Sequence, residues 1–259
     1  MTAKHLILSA MALGTLTLSL PAQTIAYDNA SLYPGNPDHG WPSFNGGTGY
    51  NLWTPLTDTG GGGTFMEGVS VNNRQVDGSY SFALYSGSGS YDISRPLTTA
   101  TSSGDFSILT RFDNAGAGPN LVNIRSGNTT TSFGAGELLS FGIVNGNELS
   151  YTDGSGFHLL ASGEARGSVW DWNVDFNAAL GSYSGSVTNL GGGYATTFSG
   201  TLEESGTTMG SFAVINSSTG NNQNVIFDNP LITAVPEPAT VALCGLSGLA
   251  TLYLARRRR

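Results

Sequence analysis

Lysine occurs once in the 259 residues, at Lys4, and cysteine once, at Cys244. Charged side chains supply only 11% of the chain. A helical protein usually covers its surface with Lys, Glu and Arg, so this scarcity argues against one. A single cysteine excludes a disulfide within the chain and, outside the C-terminal segment, a thiol nucleophile or Cys-based metal site. A domain of this length can bury enough surface to fold without such staples. Histidine is nearly as rare, with only His39 and His158 beyond the N-terminal segment. Two imidazoles without a third ligand at recognisable spacing do not make a zinc site. No Gly-x-Ser-x-Gly elbow accompanies either one, so nucleophilic catalysis has no visible base. The glycine clusters at Gly60–Gly63 and Gly191–Gly193 are not followed by Lys-Ser or Lys-Thr and open no helix. They read as loops, not phosphate cradles.

Positive charge is also missing where a nucleic acid would need it. Of ten basic residues, Lys4 stands near the start and Arg256, Arg257, Arg258 and Arg259 close the chain. From Tyr27 to Val235 there are five arginines against seventeen acids, a formal charge of −12. Such a body repels phosphate backbones and anionic lipid, which excludes nucleic acid as a partner. It tolerates cations and neutral or cationic polymers, and its acidity keeps it soluble.

What is present begins with two unusual ends. Lys4 and His5 form a short polar start, Leu6 to Leu20 an apolar stretch, and Pro21 to Ala26 a small-residue exit. This is the order of a removable secretory leader, too short in its apolar part for a permanent span. Cleavage after Ala26 would leave Tyr27 first, and Ala22 offers the alternative. At the other end, Val235-Pro236-Glu237-Pro238 precedes an apolar run from Ala239 to Ala255 and then the four arginines. That run is near the lower limit for crossing a bilayer as a helix. The arginine cluster holds the cytoplasmic side, which puts the body beyond the inner membrane. The prolines keep the approach extended, leaving backbone that a membrane peptidase can reach.

This four-part order resembles the PEP-CTERM sorting signal of Gram-negative bacteria that make exopolysaccharide. The resemblance implies an exosortase as processing partner near Pro236-Glu237-Pro238. It also implies transient anchoring in the inner membrane, followed by release to the cell surface or extracellular matrix. The division expected is a signal peptide at 1–26, a single domain at 27–233 and the sorting signal at 234–259.

Between the ends the pattern is that of strands. In Val169 to Phe176, Trp170, Trp172, Val174 and Phe176 share one face, with Asp171, Asn173 and Asp175 opposite. Asp105 to Phe112 alternates likewise. Further strand candidates are 79–85, 121–125, 138–144, 148–152, 157–161, 194–202, 212–216 and 225–233. Asn145-Gly146-Asn147 and Asp153-Gly154-Ser155-Gly156 carry hairpin chemistry. The expectation is an all-β chain: one antiparallel β-sandwich or jelly roll, flanked by a signal helix and a C-terminal transmembrane helix.

The body also resembles a group of uncharacterised proteins bearing the same tail. The matching pieces are Tyr27-Asp28-Asn29-Ala30-Ser31, Gly46-Gly47-Thr48-Gly49-Tyr50, Ser94-Arg95-Pro96-Leu97 and Phe227-Asp228-Asn229-Pro230-Leu231-Ile232-Thr233. Their layout is similar to laminin-G or concanavalin-like jelly rolls, an analogy of fold that implies no activity.

Chemistry is sparse. Asp171 and Asp175, four apart on one strand, lie roughly 13 Å from each other, too far for either glycosidase geometry. Glu203 and Glu204 are adjacent and point to opposite faces of an extended segment. No cofactor is required, although Asp28, Asp113 and Asp228, the first acids of three Asp-Asn pairs, could contribute to a calcium site. Tyr33, Trp41, Tyr50 and Trp53 lie in a Gly/Pro-rich region, where exposed rings could stack on sugars. The reading is a non-enzymatic structural or interaction protein, sorted through its tail into a surface or exopolysaccharide matrix. A carbohydrate-binding module is the alternative, and a polysaccharide hydrolase a distant third.

Overall fold

The computed structural model describes residues 22–33, 41–59, 61–68, 74–77, 80–87, 89–113, 118–127, 136–163, 167–217 and 223–234. Residues 1–21 of the expected leader, His39, Cys244 and the tail from Val235 to Arg259 lie outside them, whereas residues 22–26 of that leader lie within. Thr24–Ala234 forms one compact unit.

Numbered in chain order, the strands are β1 (Thr24–Tyr27), β2 (Thr54–Asp58), β3 (Gly63–Glu67), β4 (Ser81–Ser86), β5 (Ser90–Thr101), β6 (Ser103–Phe112), β7 (Asn120–Ser126) and β8 (Glu137–Val144). They continue as β9 (Glu148–Asp153), β10 (Gly156–Ser162), β11 (Val169–Asn177), β12 (Ser182–Asn189), β13 (Ala195–Thr201), β14 (Met209–Ser217) and β15 (Gln223–Thr233). Single 3-10 turns cover Ala30–Leu32 and Trp41–Ser43.

Among the described residues the strands form two antiparallel sheets. The first, eight-stranded, runs β13-β12-β11-β6-β15-β4-β3, with β1 also pairing β15. The second, seven-stranded, runs β10-β9-β8-β7-β14-β5-β2. This is the expected β-sandwich, with a continuous hydrophobic core. Trp172 stacks on Phe141 of the second sheet at 4.7 Å, and its Nε1 donates to Thr110 Oγ1 at 3.0 Å. Buried indole N–H groups usually find such a partner.

The alternation read in β6 and β11 is one face toward the core and one toward solvent. In contrast, β7, β8 and β14 are buried on both faces almost throughout. The hairpin at Asn145-Gly146 is built as its sequence suggests, with φ of +48° and +81°. Asn and Gly are the residues that adopt these angles readily.

Five strands escape the alternation rule. β12 is too rich in Ser and Gly to show it, and β5 carries Arg95 and Pro96 in its interior. β1, β2 and β3 are only four or five residues long.

Removing the central indole should be costly. Trp172→Ala is expected to lower the unfolding free energy by about 3–5 kcal/mol. Leu180→Ser, at a side chain 76% exposed, should change it by less than about 0.5 kcal/mol. Urea denaturation of the two variants checks both figures.

Candidate functional site

The four sequence pieces shared with the tail-bearing group meet at one corner of the sandwich. Arg95, on β5 in the second sheet, points inward and pairs with Asp28 at 3.0 Å, both side chains fully buried. The same Arg95 Nη2 donates to Asn45 Oδ1 at 2.5 Å. Its guanidinium lies 5.4 Å from the Tyr50 ring and 5.1 Å from the Trp53 ring. Those faces meet the parts of the cation that no carboxylate reaches. Asp28 Oδ2 also accepts from the Tyr33 hydroxyl at 2.8 Å and Trp53 Nε1 at 3.2 Å.

A second carboxylate closes the corner from the far end of the chain. Asp228 Oδ1 accepts from the backbone N–H groups of Ala30 and Asn229, each at 2.9 Å. Asn229, at φ +54°, and Pro230 form a bulge in β15 that turns these groups toward the first residues of the domain. A proline without an N–H is tolerated at such a bulge. Asn29 Nδ2 donates to Asn229 Oδ1 at 2.5 Å. Some 200 residues separate the partners.

Burial sets the titration of these groups. It raises the Asp28 carboxyl, with Arg95 the largest opposing influence. It pushes Asp228 up to about 8, against the pull of the Ala30 and Asn229 N–H groups. It lowers Arg95, which Asp28 in part restores.

The geometry corrects two expectations. Tyr33, Trp41, Tyr50 and Trp53 are 8%, 3%, 2% and 3% exposed. They form no surface platform; Tyr33, Tyr50 and Trp53 wall in the Arg95–Asp28 pair, Trp41 packs on Trp53, and the four lie against Phe82, Phe212 and Phe227. The proposed calcium donors are likewise committed to other partners. Asp28 and Asp228 are satisfied by N–H and O–H donors, and Asp113 is held by Arg111 at 2.6 Å and Arg74 at 3.2 Å. Among the described residues no group of three or more His, Cys, Asp and Glu is placed to hold a metal ion. Carboxylates already held by arginine, hydroxyl and N–H donors make poor ligands for a metal ion.

At the β9–β10 turn, Ser155, His158 and Asp153 do come together. Ser155 Oγ lies 2.8 Å and Asp153 Oδ1 3.0 Å from the same ring nitrogen, His158 Nε2. A catalytic triad needs serine and aspartate on opposite nitrogens, so that one proton enters as the other is held. Here Ser155 instead donates to Asp153 at 2.7 Å. Burial opposes ionisation of Asp153, yet donors from Ser155, Tyr183 and His158 outweigh it and hold the carboxyl below its usual range. This is a turn clasp.

The open site lies on the outer face of the first sheet, a trough of about 720 Å³. Register puts Thr233, Asp105, Asp175, Ser184 and Ser199 in one row across five strands. Ser107, Asn173, Ser186 and Thr197 continue the neighbouring row. Five strands span roughly 19 Å. Asp105 and Asp175 face each other directly, where side chains stand about 5 Å apart. Partial burial and then the Asp175 charge raise the Asp105 carboxyl. Sequence spacing compared Asp171 with Asp175 and missed this pair, because it exists only once β6 and β11 are in register. Both acids are exposed, unlike a general acid kept protonated in an apolar pocket.

Breaking the buried pair should be expensive and coupled. Arg95→Met and Asp28→Asn are each expected to cost about 3–5 kcal/mol, and the double variant much less than their sum. Urea unfolding of all four proteins checks the cycle. For Asp228 the folded pKa lies above the unfolded one, so its contribution is present below about pH 4 and lost as pH rises toward about 8. Asp228→Asn should therefore flatten the fall in stability between pH 4 and 8, as thermal melts across that range would record.

Comparison with known proteins bears on the tail and on the fold. A PEP-CTERM protein-sorting motif matches residues 234–259. No curated protein sequence matches the chain. Among solved structures, a carbohydrate esterase from the Shiga toxin-encoding bacteriophage phi24B is 14% identical, with a TM-score of 0.51, covering 83% of this chain and 99% of its own. Arcelin-5, a lectin-like defense protein from Phaseolus vulgaris, is 5% identical with a TM-score of 0.48, covering 84% and 100%. A Lotus tetragonolobus seed lectin is 10% identical with a TM-score of 0.44, covering 72% and 100%. At these identities the phage protein supports the sandwich fold alone. The chain is thus a β-sandwich protein whose C-terminal residues carry the PEP-CTERM protein-sorting motif.

Proposed function

We propose that this is an exported, non-enzymatic surface or matrix protein, delivered by its tail and acting through its sandwich. The observation that carries this reading is the sorting motif at 234–259, which starts where β15 ends at Thr233. The motif implies export, transient anchoring and processing by an exosortase. Residues 235–238 would present the scissile region, and Arg256 to Arg259 would hold the cytoplasmic side. No helix among the described residues is long and apolar enough to cross a membrane, and the apolar run 239–255 lies outside them.

Two features favour a non-enzymatic role. The Ser155–His158–Asp153 cluster has both partners on one ring nitrogen, and the acids in the trough are exposed.

The trough favours a second reading, in which the sandwich binds an extended polysaccharide of its matrix. Rows of hydroxyl, amide and carboxylate groups suit a polyhydroxyl chain. The Asp105–Asp175 pair would favour one bearing amines over one bearing acids.

Intact-mass analysis of protein recovered from the outer surface of its host tests the first reading. A chain ending between Val235 and Pro238 is expected, whereas a mass that retains the four arginines overturns it. For the second, retention on host exopolysaccharide should fall at least tenfold in Ser186→Trp and Asp175→Arg, with thermal stability unchanged. Equal retention of both variants would remove the trough from consideration, and shortening of the polysaccharide would restore the hydrolase.

A further inference from the structure

The sequence offers two places for the leader to end, after Ala26 and after Ala22, and residues 24–28 bear on the choice. β1 runs through the first of these bonds. Thr24 pairs with Thr233, Ala26 with Ile232 and Tyr27 with Leu231. Ala26 is fully buried in the main core, and Ile25 packs against the same cluster.

The loop opposite is shaped to residues 25–28. Gly49 has φ +74°, and a Cβ there would lie 2.1 Å from the Ile25 carbonyl oxygen and 2.7 Å from Ala26 Cα. At Gly47 a Cβ would lie 2.6 Å from the Tyr27 carbonyl oxygen. Between these glycines, Thr48 exchanges backbone hydrogen bonds with Tyr27 at 2.8 and 2.9 Å. Only glycine permits such close backbone approach. Without Ile25 and Ala26, the three nearest atoms that Gly49 makes room for would be gone, and Ile232 would keep Phe106 but lose its β1 partner. A cavity would open in the core where Ala26 sits.

Ala22 and Gln23 differ in every respect. Both are exposed coil before the first strand, and no described backbone pairing includes them. Cleavage between them removes nothing the sandwich uses.

We infer that the leader is cut between Ala22 and Gln23, so that the mature protein begins at Gln23 and keeps β1 whole. The domain boundary then moves from residue 27 to residue 23. Ala22 supplies the small side chain immediately before the scissile bond, while the third position before it, small in an A-x-A site, is Leu20 here. The inference rests on the export reading, but its readout is independent of the tail.

The test is the N-terminal peptide of the exported, full-length gene product, read by mass spectrometry. A peptide starting at Gln23 is expected, with or without the loss of one ammonia as the terminal amine closes on its own side-chain amide. A start at Tyr27, or a retained leader, overturns the inference. Gln23→Pro provides a second measurement that does not depend on folding, since residue 23 is exposed coil. Proline after the scissile bond removes its N–H and restricts the residue before it. The uncut precursor should therefore accumulate at least tenfold. Unchanged processing of Gln23→Pro would place the cut elsewhere. A Gln23 start on a chain with an uncut tail would defeat the sorting proposal and leave this one standing.

Discussion

A guanidinium buried between two sheets must be neutralised where it lies. Arg95 has no access to water, and taking such a cation out of solvent costs several kcal/mol. Asp28 repays much of that, and the Tyr50 and Trp53 rings cover the remaining faces. The requirement spreads outward from there. Asp28 must be held, so Tyr33 and Trp53 donate to it. The 3-10 turn that carries Ala30 must stay in place, so Asp228 accepts from its N–H. The start, the middle and the end of the domain are thereby fixed to one another. Buried ion pairs are often no more stabilising than an apolar cluster of the same volume, so what this one adds is a geometric condition: its hydrogen-bonded partners must arrive together. A polar knot of this kind accepts one arrangement of β1, β5 and β15 and penalises the rest.

The penalty falls where β-sandwiches are vulnerable. β15 is made last, yet it sits inside its sheet between β6 and β4 and also pairs with β1. Until it arrives, β6 and β4 have open edges, and open edges template wrong pairings. Asp228 and Asn229 give the late strand a specific destination, because only the native register brings them to Ala30 and Asn29. A one-residue slip would turn Phe227 and Ile232 outward and Asp228 away from its donors.

Much of this was legible in the sequence, and the remainder was hidden for identifiable reasons. β6 and β11 announced themselves because each has one wet face, so composition alternates along them. β12 reads as Ser and Gly because its outward row lines the trough and Gly185 makes room for the Phe198 ring beneath it. The knot residues stood out as short motifs, but their role was inverted. Trp41 and Trp53 lie among glycines and prolines, a context typical of surface loops, and nothing local reveals a buried cation tens of residues away. Likewise the Asp105–Asp175 pair belongs to no single segment. Alternation tells which face a residue takes; it does not tell which residue of another strand stands opposite.

The same interaction also links the fold to its delivery. Thr24 and Thr233 are partners in one ladder, so the chain enters and leaves the sandwich side by side. Everything before Thr24 and after Ala234 can be cut away without breaking any of the fifteen strands described. The lack of any cysteine in this unit means that its closure needs no redox partner. Closure depends instead on β15, whose last residue is separated by only five residues from the apolar run that begins at Ala239. Five extended residues reach about 17 Å, and the two prolines among them cannot join a sheet interior. The knot is made by residues 28 to 229 alone, so its closure draws nothing from the sorting motif at 234–259.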